Sequence, residues 1–180
     1  MNNKTQNIEP SNQNFRISEL VTACMEAIEA GKTAALGQIV MTAGRANWQL
    51  PQCPRYDLLI HAVIHRDYGA VELLLERGAN PDVVFCDCER IDDYDGLLEG
   101  HYVSALMLAI NLQDPGLVRL LLARGASLDL PIFVFWDGTT ETCGDRIEST
   151  GNAAMQAAAE KWRLEQAVSD DEVDEGSLRL

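Results

Sequence analysis

The chain is poor in positive charge, in histidine and in long apolar runs. It carries 14 Lys and Arg against 28 Asp and Glu, a formal net charge of -14. Such a surface repels nucleic acid and anionic membranes, and draws basic partners instead. The longest apolar run, LPIFVFW at 130–136, is strand-sized and falls short of the ~18 residues of a membrane span. The opening stretch MNNKTQNIEPSNQN is polar and has no secretory core region, so no export signal is expected. Five cysteines (Cys24, Cys53, Cys86, Cys88, Cys143) make an odd set. Without a signal peptide they are expected to be reduced thiols of a cytoplasmic protein. No G-x-S-x-G, H-E-x-x-H or glycine-rich phosphate loop occurs, which removes the commonest hydrolase, zinc-protease and nucleotide-binding motifs.

What is present is an internal repeat. At 180 residues, 47% hydrophobic, the length predicts one domain with a continuous core. Within it, DLLIHAVIHRDYGAVELLLERGANPD at 57–82 aligns without a gap on SALMLAINLQDPGLVRLLLARGASLD at 104–129. Ala62 falls on Ala109, Asp67 on Asp114, and Arg77-Gly78-Ala79 on Arg124-Gly125-Ala126. Each unit reads as a short helix, a turn and a second helix. Val71, Leu74 and Leu75 form one apolar stripe at i, i+3, i+4. Gly78 and Gly125 stand where a left-handed helix end favours glycine. A lone helix pair cannot bury its apolar face, so neighbouring units are needed to share a core.

The halves VELLLERGAN at 71–80 and VRLLLARGAS at 118–127 closely resemble the second helix of ankyrin repeats. The family's T-P-L-H-x-A opening is replaced by DLLIHA at 57–62 and SALMLA at 104–109, without its threonine and proline. The resemblance covers 57–129, and suits a short, acidic ankyrin protein of bacterial or phage type. It implies an all-α solenoid of about three to four repeats with elongated β-hairpin fingers. A degenerate cap repeat is expected at 18–47, with two helical patterns parted by Gly31. A repeat at 52–84, a long finger at 83–103, a repeat at 104–129, and a finger with a C-terminal cap at 130–168 complete the domain of 15–168. Disordered or solvated tails are expected at 1–14 and 169–180.

Spacing locates the fingers. Gly44 to Gly78 is 34 residues, but Gly78 to Gly125 is 47. The surplus falls on VVFCDCERIDDYDGLLEGHYV at 83–103, with Asp95-Gly96 as a candidate turn. A second finger runs through PIFVFW with its turn at Asp137-Gly138.

The long finger has the look of chemistry, and each chemical reading meets an obstacle. Cys86, Cys88 and His101, with Asp87 or Cys53, offer zinc ligands. A one-residue gap is shorter than the two to four residues of structural zinc pairs, and no second pair follows. An EF-hand register through Asp93, Asp95 and Gly96 puts Ile91 and Tyr102 at ligand positions, which fails. His61 and His65 lie one helical turn apart, and Asp57 with His61 has the spacing of a helix-surface pair. Neither catalysis nor a metal or cofactor is expected.

A binding surface remains. The family resemblance points to finger tips and the exposed side of first helices: Tyr56, His101 and Tyr102 on fingers, then Ile64, His65, Asn111 and Leu112 on helices. Asp87, Glu89, Asp92, Asp93 and Asp95 load the long finger with acid around Tyr94, a residue suited to interfaces. Trp136 ends the second finger's strand. The expected function is non-enzymatic binding of a protein with a basic surface, by a monomeric inhibitor or immunity-type protein facing a toxin or nuclease. The alternative is a general adaptor or a self-associating subunit.

Overall fold

The computed structural model describes residues 10–43, 49–50, 53–88, 100–135 and 137–177. The chain forms two compact units, Met1–Ala79 and Asn80–Leu180.

The first unit is two helix pairs. Helix α1 (Pro10–Glu29) turns at Gly31 into α2 (Thr33–Ala43). A small antiparallel hairpin follows, β1 (Gln49–Leu50) with β2 (Cys53–Asp57), then α3 (Leu58–Ile64) and α4 (Tyr68–Glu76). Helix α1 packs on α2 and α3, and α2 packs on α4. Val21, Cys24, Ile28, Leu36, Val40, Leu58, Ile60, Val63, Val71 and Leu74 fill the space between them. Leu75, read as part of the apolar stripe, is only half-buried.

The second unit combines a sheet with four helices. Strands β3 (Phe85–Cys88) and β4 (Gly100–Val103) precede α5 (Ala105–Asn111) and α6 (Pro115–Ala123). Strands β5 (Pro131–Val134) and β6 (Thr140–Thr142) then lead to α7 (Cys143–Thr150) and α8 (Ala153–Ser177). Helix α5 packs on α6 and α7, and α8 on α6 and α7. Leu106, Ile110, Leu117, Leu121, Leu128, Ile132, Ile147 and Met155 are almost wholly buried there. Each such side chain contributes roughly 1.5–3 kcal/mol of transfer free energy.

The two aligned segments share their local geometry residue by residue. Both first helices start on a side-chain cap: Ile60 N–H donates to Asp57 Oδ1 at 2.9 Å, and Met107 N–H to Ser104 Oγ at 3.1 Å. Both second helices start on an aspartate, with Ala70 N–H donating to Asp67 and Leu117 N–H to Asp114. These caps satisfy N–H groups that a helix start leaves open. The turn residues Arg66 and Gln113 both adopt positive φ, 52° and 53°. Both second helices close with the same bond across the glycine: Ala79 N–H to the Leu74 carbonyl, Ala126 N–H to the Leu121 carbonyl.

Three expectations change. The fold is mostly helical and its few strands fit the expected hairpin fingers, but the two long fingers do not stand apart. Strand β4 pairs with β5 through Gly100↔Val134 and His101↔Phe133, so β3-β4-β5-β6 is one antiparallel sheet. Helix α1 begins at Pro10, inside the stretch read as a tail, and α8 continues to Ser177, through most of the segment read as an acidic tail. Finally, the closing cap is a helix pair: Thr142 and Asp145 form a reciprocal capping box on α7, and Gly151 at φ 65° ends it. Gly44 to Ala46, aligned by spacing with the later Gly-Ala caps, lie outside the described residues.

Candidate interaction surface and titratable cluster

The sheet is built where two over-long connections meet. In β3–β4, Phe85 faces Val103, Cys86 faces Tyr102, Asp87 faces His101 and Cys88 faces Gly100. Opposed residues share a sheet face and successive ones alternate, so the His101 position is out of phase with Cys86 and Cys88. Residues 89–99 join the paired ends Cys88 and Gly100. In sequence they hold Glu89, Asp92, Asp93, Asp95 and Glu99 against Arg90. Glu89, Asp92, Asp93, Tyr94 and Asp95 all lie outside the described residues, as does Trp136.

The β5–β6 turn is held at Asp137, whose carboxylate accepts from Thr139 N–H at 2.9 Å and from its hydroxyl at 2.7 Å. These bonds hold its pKa below the usual carboxylate value. Gly138, at φ 82°, takes the turn position expected of it. On β6, Glu141 receives two bonds from Arg146 of α7, 2.6 and 2.8 Å, which lower its pKa and tie strand to helix. Tyr102, on β4, and Leu112, at the end of α5, are half-buried, and Asn111 is exposed. Leu112 therefore offers less surface than expected, because it closes α5 as its C-terminal cap.

In the first unit, Tyr56 lies on β2. Ile64 and Tyr68 are exposed large apolar side chains at the end of α3 and the start of α4. His65 is exposed but not isolated: its ring lies 4.5 Å, centroid to centroid, from that of His61. His61 is 9% exposed, and its Nε2 lies 3.3 Å from Glu29 Oε1 at the end of α1. That approach is an ion-pair distance outside strict hydrogen-bond geometry, and among the described residues Nε2 has no well-aligned hydrogen-bond partner. Burial, then the charge of His65, push the His61 pKa down, and Glu29 pulls the other way. Glu29, His61 and His65 are the group among the described residues whose ligand atoms all approach within 4.8 Å.

The Asp57–His61 spacing does not make a surface pair. Both are buried; Asp57 caps α3 and His61 turns to Glu29. The histidine pair was legible from its i, i+4 spacing, whereas Glu29 carried no signal in sequence. Two thiols are structural. Cys24 and Cys143 are fully buried, and burial pushes their pKa up to about 11 and about 12. A groove of about 310 Å³ runs between α6 and α8, lined by Arg119, Leu122, Ala158, Lys161 and Trp162 among others. The alanine-rich face of α8 makes room for it.

Among the described residues, no helix is long and apolar enough to cross a membrane. No curated protein matches the chain. Residues 101–131, spanning β4, α5, α6 and the first residue of β5, match the family model for the ankyrin repeat. Repeats of this kind are generally protein–protein interaction modules and typically non-catalytic. The match agrees with the cap, turn and glycine geometry of that segment, so the chain carries an ankyrin repeat there.

Proposed function

We propose that the chain is a non-enzymatic binding protein that neutralises a basic partner, such as a nuclease-like toxin, by an acidic contact. The observation that carries this reading is the fusion of both fingers into one sheet. A sheet fixes the two ends of the acid-rich 89–99 connection at Cys88 and Gly100, so less freedom is lost when a partner engages it. The same sheet brings the His101 and Tyr102 positions beside it, and Asp87 adds to its charge. With a net charge of -14 behind it, the connection steers a basic surface toward encounter. In this proposal Asp87, Glu89, Asp92, Asp93, Tyr94, Asp95, His101, Tyr102, Asn111, Leu112 and Trp136 supply the contact on the second unit. Tyr56, Ile64 and His65 belong to a separate patch on the first.

The test is affinity capture by the wild type and by the Asp92→Ser, Asp93→Ser, Asp95→Ser triple variant, at low and high salt. Basic partners should be held at low salt, released at high salt, and recovered poorly by the variant. Capture of acidic or neutral partners, insensitive to salt and to the triple substitution, would sink the proposal. A second reading rests on the sheet order, which makes β3 and β6 the edges. Edge strands pair readily with another copy, and light scattering across concentration separates a self-associating subunit from a monomeric binder.

A further inference from the structure

We propose that Glu29, His61 and His65 form a binding site for a divalent transition-metal ion of the zinc class. The site lies wholly in the first unit and does not depend on the acidic-finger reading. Its ligands come from two packed elements. His61 and His65 are four residues apart at the end of α3, so both rings leave the helix on one side. Helix α1 packs against α3 and ends at Glu29, facing them.

The distances suit a metal better than they suit the side chains alone. Zinc binds imidazole nitrogen at about 2.0–2.1 Å and carboxylate oxygen at about 2.0–2.2 Å, which sets tetrahedral donor–donor edges of about 3.3–3.5 Å. The His61 Nε2 to Glu29 Oε1 separation is 3.3 Å, one such edge already formed. All three donor atoms lie within 4.8 Å of one another. Of the three side chains, His65 and Glu29 are exposed and have room to turn toward an ion. His61, the most buried of the three, can stay where it is.

The decisive feature is the unpartnered nitrogen. A buried ring nitrogen normally finds a well-aligned hydrogen bond, yet among the described residues Nε2 of His61 has none, and it lies 3.3 Å from the Glu29 carboxylate outside strict hydrogen-bond geometry. A cation between them satisfies both groups. Two imidazoles and a carboxylate are borderline donors that favour zinc, nickel or copper over magnesium or calcium. Two histidines and one acid also leave a coordination position open to water.

The experiment is titration of the full chain with Zn²⁺ in excess Mg²⁺, which occupies oxygen-only surface sites, followed by the visible spectrum of the Co²⁺ form. One equivalent should bind, with a cobalt spectrum that lacks thiolate charge-transfer bands. His65→Ala and Glu29→Gln should each weaken binding at least ~10-fold, the scale seen when a zinc site loses an outer partner. Both residues are exposed, so these variants should fold, and circular dichroism checks that they do. Cys86→Ser with Cys88→Ser should leave affinity unchanged. Zinc should raise the melting temperature of the wild type and the cysteine variant but not of His65→Ala. Absence of stoichiometric binding, binding indifferent to His65→Ala and Glu29→Gln, or binding lost with the cysteines would each overturn the assignment.

Discussion

Replacing Asp57 separates two forces acting on one side chain. Its carboxylate caps α3 by accepting the Ile60 N–H at 2.9 Å, and it is only 5% exposed. Cap bonds favour the charged form, while burial opposes it. Burial is the larger, because the Asp57 pKa stands above its ordinary value of 3.8. The cap oxygen is therefore useful and its charge is a liability. Asp57→Ala removes the acceptor and leaves a buried N–H open, at a cost of about 1–2 kcal/mol. In a chain of this size that lowers the melting temperature by about 2–8 °C. Asp57→Asn keeps an acceptor in the same place without the charge, and at pH 7 it should be at least as stable as the wild type. The pH dependence has the sign opposite to a paired surface aspartate. A raised native pKa means that the folded state holds the proton more tightly, so the wild type loses stability relative to Asp57→Asn as pH rises upward from 3.8. Above the native pKa the difference levels off. Urea denaturation of the three proteins between pH 3.5 and 8 reads this directly. An Asn variant as unstable as the Ala variant, or a wild type that gains on Asn as pH rises, would refute the reasoning.

Two other predictions follow from single residues. Cys24 and Cys143, fully buried with pKa values near 11 and 12, should resist iodoacetamide at pH 8 in the native protein and react fully in denaturant, as read by peptide mass spectrometry; equal labelling in both states would contradict their burial. Gly125 has φ 92° and no atom within 4 Å of an added Cβ, so Gly125→Ala should cost only the left-handed backbone penalty of about 1–2 kcal/mol. A urea midpoint unchanged by that substitution would show that the glycine is not needed for the turn.

What was legible in the sequence was what neighbouring residues decide together. The caps Asp57, Ser104, Asp67 and Asp114, the helices they start and the glycines that end them all follow from local spacing. The repeat made the reading stronger, because the same pattern had to be explained twice. The hairpin turn at Asp137-Gly138 was local as well. The joining of the two fingers was not, because β4 finds β5 across the whole intervening helix pair. Two hairpins read separately contain no information on whether their outer strands will meet. Glu29 shows the same limit more sharply. His61 and His65 announce a shared face by their spacing, but a helical period says nothing about which other helix will lie on that face. Only the packing of α1 against α3 brings the carboxylate to 3.3 Å. Once it is there, Asp57 and His61 stop being a surface pair: one is drawn to its own helix start, the other to a neighbour thirty-two positions upstream. Interaction surfaces and metal sites depend on such tertiary meetings, whereas the repeat that carries them is written in local chemistry. That difference is why the ankyrin pattern was readable from the sequence and the third ligand was not.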